Sequence, residues 1–241
     1  MKKFKIKRPR AALLILGAVV ALGIGAMSMN IKQIRVSGNN RYTGEELVDM
    51  IFKTKADRNT LYCYGKDKLT QHQQIPFVED YQLVFRGPFE VEIIVHEKSV
   101  VGYVTYMSSC MYFDKDGIIV ESANREVEGI PRVEGLDFGQ IVLHKPLPVA
   151  DEAIFGQILI LTQVLSTYDL KVSRIQYDRK GVATLYMDYL EVVLGDKSNI
   201  DGKILRLSNM LPELQGLKGT LYLDTYDPSN NQMAYTFKKK S

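Results

Sequence analysis

Nineteen consecutive residues without a charge, Ala11 to Met29 (AALLILGAVVALGIGAMSM), constrain this chain more than any other feature. A helix needs about 20 mostly apolar residues to cross the hydrocarbon core of a bilayer. Six basic residues and no acidic one precede the run: Lys2, Lys3, Lys5, Lys7, Arg8 and Arg10. The pattern predicts a single transmembrane helix over 11–29 with a cytoplasmic basic tail over 1–10, by the rule that positive flanks stay inside. Everything from Asn30 onward is then extracytoplasmic. A cleaved secretory signal with a cut after Ser28 is the competing reading, but the run outlasts the usual 7–15-residue signal core. Gly17, Ala21 and Gly25 recur every fourth residue, a spacing that lets a second helix approach and dimerise. It is also ordinary small-residue content for an apolar helix.

The charge of the whole chain takes its meaning from that run. Of 31 basic residues, 25 remain after residue 10 to face all 28 acidic ones, so the formal net charge of +3 hides a mildly acidic body. A nucleic-acid binder needs a basic face on its folded part, and this balance argues against one. With 46% hydrophobic residues the body can bury a sizeable core. Only Cys63 and Cys110 are present, which is no disulfide framework; two buried thiols are the simpler reading.

Periodicity and punctuation predict an α+β ectodomain in two parts. In 30–98 the order is β-α-α-β-β: a strand over Ile31 to Val36, a turn at Ser37-Gly38-Asn39-Asn40, and a helix opened by the capping box Thr43-Gly44-Glu45-Glu46. A polar segment with a second helix follows through Leu69 to Ile75, where Pro76-Phe77 breaks it, and strands at Tyr81 to Phe85 and Val91 to Val95 complete a small core. The part over 99–237 is larger, β-rich and mixed, with two helices. Ile154, Ile158, Leu161, Leu165 and Tyr168 make a clean apolar stripe behind Asp151-Glu152. Ser198-x-x-Asp201 reads as a second capping box, with Pro212 kinking or ending its helix. Strands follow at Thr220 to Asp224 and Gln232 to Phe237, and 238–241 is read as a frayed tail. Asp114-Lys115-Asp116-Gly117 looks toward calcium, but an EF-hand loop wants Gly at its sixth position and Glu at its twelfth. Gly117 is fourth and Arg125 twelfth, so a hairpin turn is expected.

Catalytic patterns are missing. His72, His96 and His144 have no zinc-like spacing to one another or to a Cys. No serine has Lys three residues later, and there is no Gly-x-Ser-x-Gly elbow or phosphate loop. The expectation is a non-enzyme without cofactor or metal. The aromatic end of the chain, Tyr222, Tyr226, Tyr235 and Phe237, suits either a packed hairpin or an open sheet edge offered to a partner strand.

The order of parts and several local motifs together resemble the FtsQ/DivIB family of bacterial cell-division proteins. Val36-Ser37-Gly38-Asn39 with the capped Thr43 helix, Pro76-Phe77-Val78, and Pro88-x-x-Val91-x-Ile93-x-Val95-x-Glu97-Lys98 look like that family's POTRA domain. Phe113-Asp114-x-Asp116-Gly117, Ile130-Pro131, Val193-Leu194-Gly195 and Tyr222-Leu223-Asp224 look like landmarks of its β domain. One departure is Val100, which stands where the family usually has Pro. The resemblance implies a divisome scaffold at the cell membrane and septum, with the bilayer and FtsB/DivIC- and FtsL-type proteins as partners. It implies a terminal edge at Thr220 to Asp224, with Tyr222 and Tyr226 as anchors and Tyr235 and Phe237 in support. A POTRA-containing component of a sporulation or export assembly, and a membrane-anchored cell-wall enzyme, are the alternatives.

Overall fold

The computed structural model describes residues 9–229 and 235–240. The chain divides into two compact units, Met1–Lys98 and Ser99–Ser241. It is α+β, and its helices and sheets largely follow the local signals.

The segment Pro9–Ser28 is a helix, α1. Among the described residues, however, no helix is long and apolar enough to cross a membrane. The transmembrane helix expected over 11–29 is therefore corrected to a helix without a demonstrated span. Lys2, Lys3, Lys5, Lys7 and Arg8 lie outside the described residues, and Arg10 lies in α1 with no described side chain. The membrane orientation drawn from these six, and the bilayer as a partner, have no demonstrated span to rest on. Ala21 is exposed, and open space stands where a Cβ at Gly17 or Gly25 would be.

In the first unit β1 (Gln33–Ser37) precedes α2 (Gly44–Ile51), a 3-10 turn (Ala56–Arg58) and α3 (Thr60–Leu69). Strands β2 (Val78–Gly87) and β3 (Glu90–Glu97) follow, and the sheet order is β1-β3-β2. The central strand β3 runs parallel to β1 and antiparallel to β2. The capping box forms as the sequence requires. Thr43 Oγ1 accepts from the Glu46 amide at 3.2 Å, and Glu46 Oε2 accepts from the Thr43 amide at 2.8 Å. Leu47, Ile51 and Phe52 are thereby aimed onto Val91, Ile93 and Val95 in the core. Thr43→Ala removes one arm of that box. It is expected to lower the stability of this unit by about 1 kcal/mol in urea unfolding of the full chain. An unchanged midpoint would show that the helix start is held by packing alone.

The second unit holds one nine-stranded mixed sheet. Its strands are β4 (Gly102–Tyr106), β5 (Ser109–Phe113), β6 (Ile119–Ala123), β7 (Arg132–Glu134), β8 (Arg174–Tyr177), β9 (Ala183–Tyr186), β10 (Leu190–Gly195), β11 (Gly219–Tyr222) and β12 (Thr236–Lys239). The spatial order is β12-β11-β10-β9-β8-β7-β4-β5-β6. Of its three parallel pairs, β4/β7 is joined through β5 and β6, while β7/β8 and β10/β11 each need a helical crossover. Helix α4 (Glu152–Thr167) supplies the first and α5 (Ile200–Leu214) the second. The apolar stripe of α4 is buried as its spacing predicts, with Ile158, Leu161 and Leu165 in one core with Ile175, Leu185 and Val192. At Asp114 the turn is tied by its own carboxylate, which accepts from the amides of Asp116 and Ile118 at 2.9 Å each.

Two expectations in this unit need correcting. Ser198 does not cap α5. The N-cap is Asn199, in the left-handed region at φ 52° and without a side-chain cap bond. The Ser198 hydroxyl and amide are both taken by Asp196 Oδ1, which also receives Lys203 Nζ at 3.2 Å. Lys203 is fully buried and bonds the Asp196 carbonyl as well, at 3.0 Å. The Ser198 bonds, with help from Lys203, hold the Asp196 carboxyl down at about 2. The end of the chain is also more ordered than a frayed tail. Lys238 and Lys239 are in β12, and the Lys240 amide donates to Lys218 O at 2.9 Å. Ser241 lies outside the described residues.

Candidate functional site

Strand β11 begins at Gly219, which lets an aromatic ring lie against the backbone. A Cβ there would stand 2.6 Å from the Phe237 ring, so Phe237 of β12 fills the space a side chain would take. The two strands pair antiparallel, Gly219 opposite Lys239 through Tyr222 opposite Thr236. On its other side β11 pairs with β10. The edge expected at Thr220 to Asp224 is thus an interior position, because β12 covers it. The terminal strand of the sheet is β12, one strand further out.

The ladder decides which groups that strand offers outward. In an antiparallel pair, alternate residues bond the same neighbour. Lys240 donates inward to Lys218, so positions 238 and 236 also face β11. The backbone groups of Phe237 and Lys239 then face away from the sheet, with no described strand beyond them.

Side chains sort by the same alternation. Phe237 and Tyr235 pack against the core that carries the helices, and the Arg206 guanidinium of α5 lies 5.4 Å from the Tyr235 ring. On the opposite face Lys238 Nζ lies 4.9 Å from the Tyr222 ring, an attraction of the cation–π kind. Lys240 Nζ bonds Glu191 Oε1 at 2.9 Å, and Thr220 Oγ1 donates to Glu191 Oε2 at 3.2 Å. The Lys240 bond outweighs partial desolvation, and with Thr220 it holds the Glu191 carboxyl below its ordinary range. Lys240 is raised in return.

These contacts belong to a longer row. The register aligns Arg132, Arg174, Tyr186, Glu191, Thr220 and Lys238 across six strands of the helix-free face. Within it Arg174 lies 3.8 Å from the Tyr186 ring and bonds Glu134 at 3.1 Å. Charge along the row is largely compensated until β12. There Lys240 pairs with Glu191, and Lys238 and Lys239 add two further positive charges. The edge is therefore basic.

The structure brings together four of the six expected residues, Thr220, Tyr222, Tyr235 and Phe237, around the β11/β12 pair. The other two turn away from the outer edge. Asp224 lies beside Gly195, where a Cβ would meet its own Cβ at 2.8 Å, and Tyr226 lies against Gly202 of α5, where a Cβ would stand 2.4 Å from its hydroxyl. Lys238, Lys239 and Lys240 escaped sequence reasoning. Three consecutive lysines near a terminus carry no strand period; the only usable signal was the alternation Phe237-in, Lys238-out.

Among the described residues no group of three or more His, Cys, Asp and Glu could hold a metal. Cys63 and Cys110 are free and buried, and burial pushes the Cys63 thiol up to about 11 and the Cys110 thiol above its ordinary value. A cleft in the second unit, about 670 Å³, is bordered by Glu126, Glu128, Asp188 and Lys171 over Val172 and Leu211.

No family model matches the chain. Three curated proteins described as "Cell division protein DivIB" are similar to it. That of Clostridium acetobutylicum is 22% identical over 197 residues, which is 80% of this chain and 78% of the relative. That of Clostridium botulinum strain Hall is 21% identical over 219 residues, 87% of this chain and 85% of the relative. That of Clostridium botulinum strain Loch Maree is 22% identical with the same coverage.

Proposed function

We infer, from the FtsQ/DivIB-family assignment that these three similarities support, that the chain is a cell-division protein associated with the septum. Within that role we propose a non-enzymatic scaffold. Residues 30–98 act as a POTRA domain and 99–237 as a β domain, with β12 completing the latter's sheet. The scaffold binds FtsB/DivIC- and FtsL-type partners and assists assembly of the machinery that makes septal peptidoglycan.

One observation carries the binding reading: the sheet ends in a strand with outward-facing backbone groups and two lysines, with a third, Lys240, directly after it. Lysine on an edge discourages pairing with a second copy of itself. The same charge favours a partner strand that brings carboxylates. Such a strand would add beside β12 by main-chain hydrogen bonds, with alternate side chains choosing the partner. Its apolar side chains would meet Phe237 on one face, and its acidic ones Lys238 and Lys240 on the other.

The test separates backbone from side chain. Lys239→Pro removes an outward N–H and leaves the inward ladder intact; Lys239→Ala removes only the ammonium. Capture of a purified FtsB/DivIC-type protein by the full chain is expected to fall about tenfold or more with the proline, the scale of one lost 1.4 kcal/mol contribution, and little with the alanine. Equal capture by all three chains would overturn the edge assignment. No capture even by the unaltered chain would overturn the partner. Release of soluble fragments from peptidoglycan by the purified chain would overturn the non-enzymatic reading.

A further inference from the structure

His72 lies in the segment that joins α3 to β2, and both of its ring nitrogens face carboxylates. Nε2 is 3.0 Å from Asp67 Oδ1 in the last turn of α3, and Nδ1 is 3.0 Å from Asp80 Oδ1 on β2. The ring is stacked on Tyr81, with centroids 4.4 Å apart and planes 13° from parallel. An ionised carboxylate only accepts hydrogen bonds, and a neutral imidazole has one N–H to give. Both contacts are therefore hydrogen bonds only while the ring is an imidazolium. In the neutral ring one carboxylate must face a nitrogen lone pair.

The rest of the segment is held by neutral bonds. Gln73 Nε2 donates to Met50 O at 3.3 Å, the Tyr42 hydroxyl to Pro76 O at 3.0 Å, and Thr70 Oγ1 to Lys66 O at 2.7 Å. Beneath it is a cavity of about 150 Å³ whose lining includes Phe52, Cys63, His72, Tyr81 and Leu83. Cys63 is buried there. His72 is the tie that joins the segment to both α3 and β2.

We propose that His72 is a proton-operated clasp: as an imidazolium it fastens residues 70–77 over this cavity, and loss of one ring proton frees one arm and lets the segment open. Charged and titratable groups stand near the ring on each packed element. On α3, Asp67 is shared with Lys68 at 3.3 Å, while Lys66 is engaged by Asp57. On β2 stand Asp80 and Tyr81, and on β3 His96 sits opposite Asp80 in register. Burial by itself would disfavour the charged ring, but the Asp80 and Asp67 bonds outweigh it and hold His72 above its ordinary 6.5. Its contribution is accordingly full below about pH 6.5 and fades as pH rises through the raised value. The bond to His72 holds Asp80 below 3.8, so that arm is lost only on acidification through the lowered value. The clasp is closed between these limits and opens on the alkaline side.

Cys63 reports the opening. In the full chain carrying Cys110→Ser, the labelling rate of Cys63 by a neutral maleimide is divided by the rate in the urea-unfolded chain at the same pH. Buried Cys63 is labelled from the opened state, where its thiol is exposed as in the unfolded chain, so the ratio cancels the chemistry of the exposed thiol. Protection is expected to fall about three- to fivefold between pH 6 and pH 9, the scale of one partly exposed ion pair. His72→Gln should show the low value at both pH values. Equal protection at the two pH values, or a variant that keeps the full pH response, would overturn the proposal. If His72→Gln does not fold, Asp80→Asn serves, since its side chain is 56% exposed. It removes one arm, and an undiminished pH response in it would overturn the clasp equally.

Discussion

Gly135→Ala is expected to destabilise the second unit by about 3–5 kcal/mol, among the largest effects of any single methyl in this chain. Gly135 follows β7 at φ +87°, where an L side chain costs about 1–2 kcal/mol. The larger share comes from space. A Cβ at this position would stand 1.9 Å from Tyr177 O and 2.8 Å from the Tyr177 carbonyl carbon. Tyr177 cannot retreat: it ends β8, pairs with Ala183 of β9, and is itself buried. The methyl must push apart two paired strands in the middle of the sheet. Gly129→Ala is the matched control, because Gly129 has φ +80° but nothing within 4 Å of a Cβ. It should lose only the conformational cost, about 1–2 kcal/mol. Urea midpoints of the two full-length variants decide the matter. Equal losses would mean that the close approach at Tyr177 relaxes without cost.

Ile158→Ala should cost about 2–4 kcal/mol through lost burial and the cavity left behind. Ile158 is fully buried on α4, in one core with residues of β8, β9 and β10. Its neighbour Ile160 is the contrast: two residues along the same helix, and 56% exposed. Ile160→Ala should change stability by less than about 0.5 kcal/mol. A loss at residue 160 comparable to that at 158 would show that the outer face of α4 is covered by something outside the described residues.

Both pairs of variants mark what is legible along a sequence. The 4-3-4-3 stripe of α4 separates Ile158 from Ile160 without any structure, because helical periodicity is a property of neighbours. The same holds for the Thr43/Glu46 box and the Asp114 turn, whose bonds span two to four residues. The Ser198-x-x-Asp201 box had the same local form and did not close. Asp196 competes for Ser198 from two residues upstream, with Lys203 buried against it, and that competition outweighs the cap. Gly135 is equally silent in the sequence, where it reads as one turn glycine among several. Only the pairing of β7 with β8 puts a carbonyl where its Cβ would be.

The candidate site divides in the same way. Thr220, Tyr222, Tyr235 and Phe237 were recognisable as strand residues near the end of the chain. Which strand is outermost was not recognisable, because edge position depends on pairing across the sheet. The parallel crossover through α5 sets β11 beside β10, and the last residues then fold back to cover it. The lysines of β12 gained their place from that return alone. His72 became notable only when folding brought Asp67 of α3 and Asp80 of β2 to its two nitrogens.

By itself, then, the sequence determined the local elements of this protein: where helices start, which of their faces are apolar, and where the chain turns. These follow from steric and hydrogen-bonding preferences among residues a few positions apart, which act before any distant contact forms. It also carried enough motif order to resemble a cell-division family. Tertiary structure alone decided the nine-strand order, the edge at β12, the left-handed start of α5 and the two-sided grip on His72. Each of these depends on groups far apart in the chain or on competition among several nearby partners, and spacing along the chain does not rank those alternatives. The uncharged run at Ala11 to Met29 belongs between the two: its helix follows from composition, while a membrane span would require more apolar length than the described residues display.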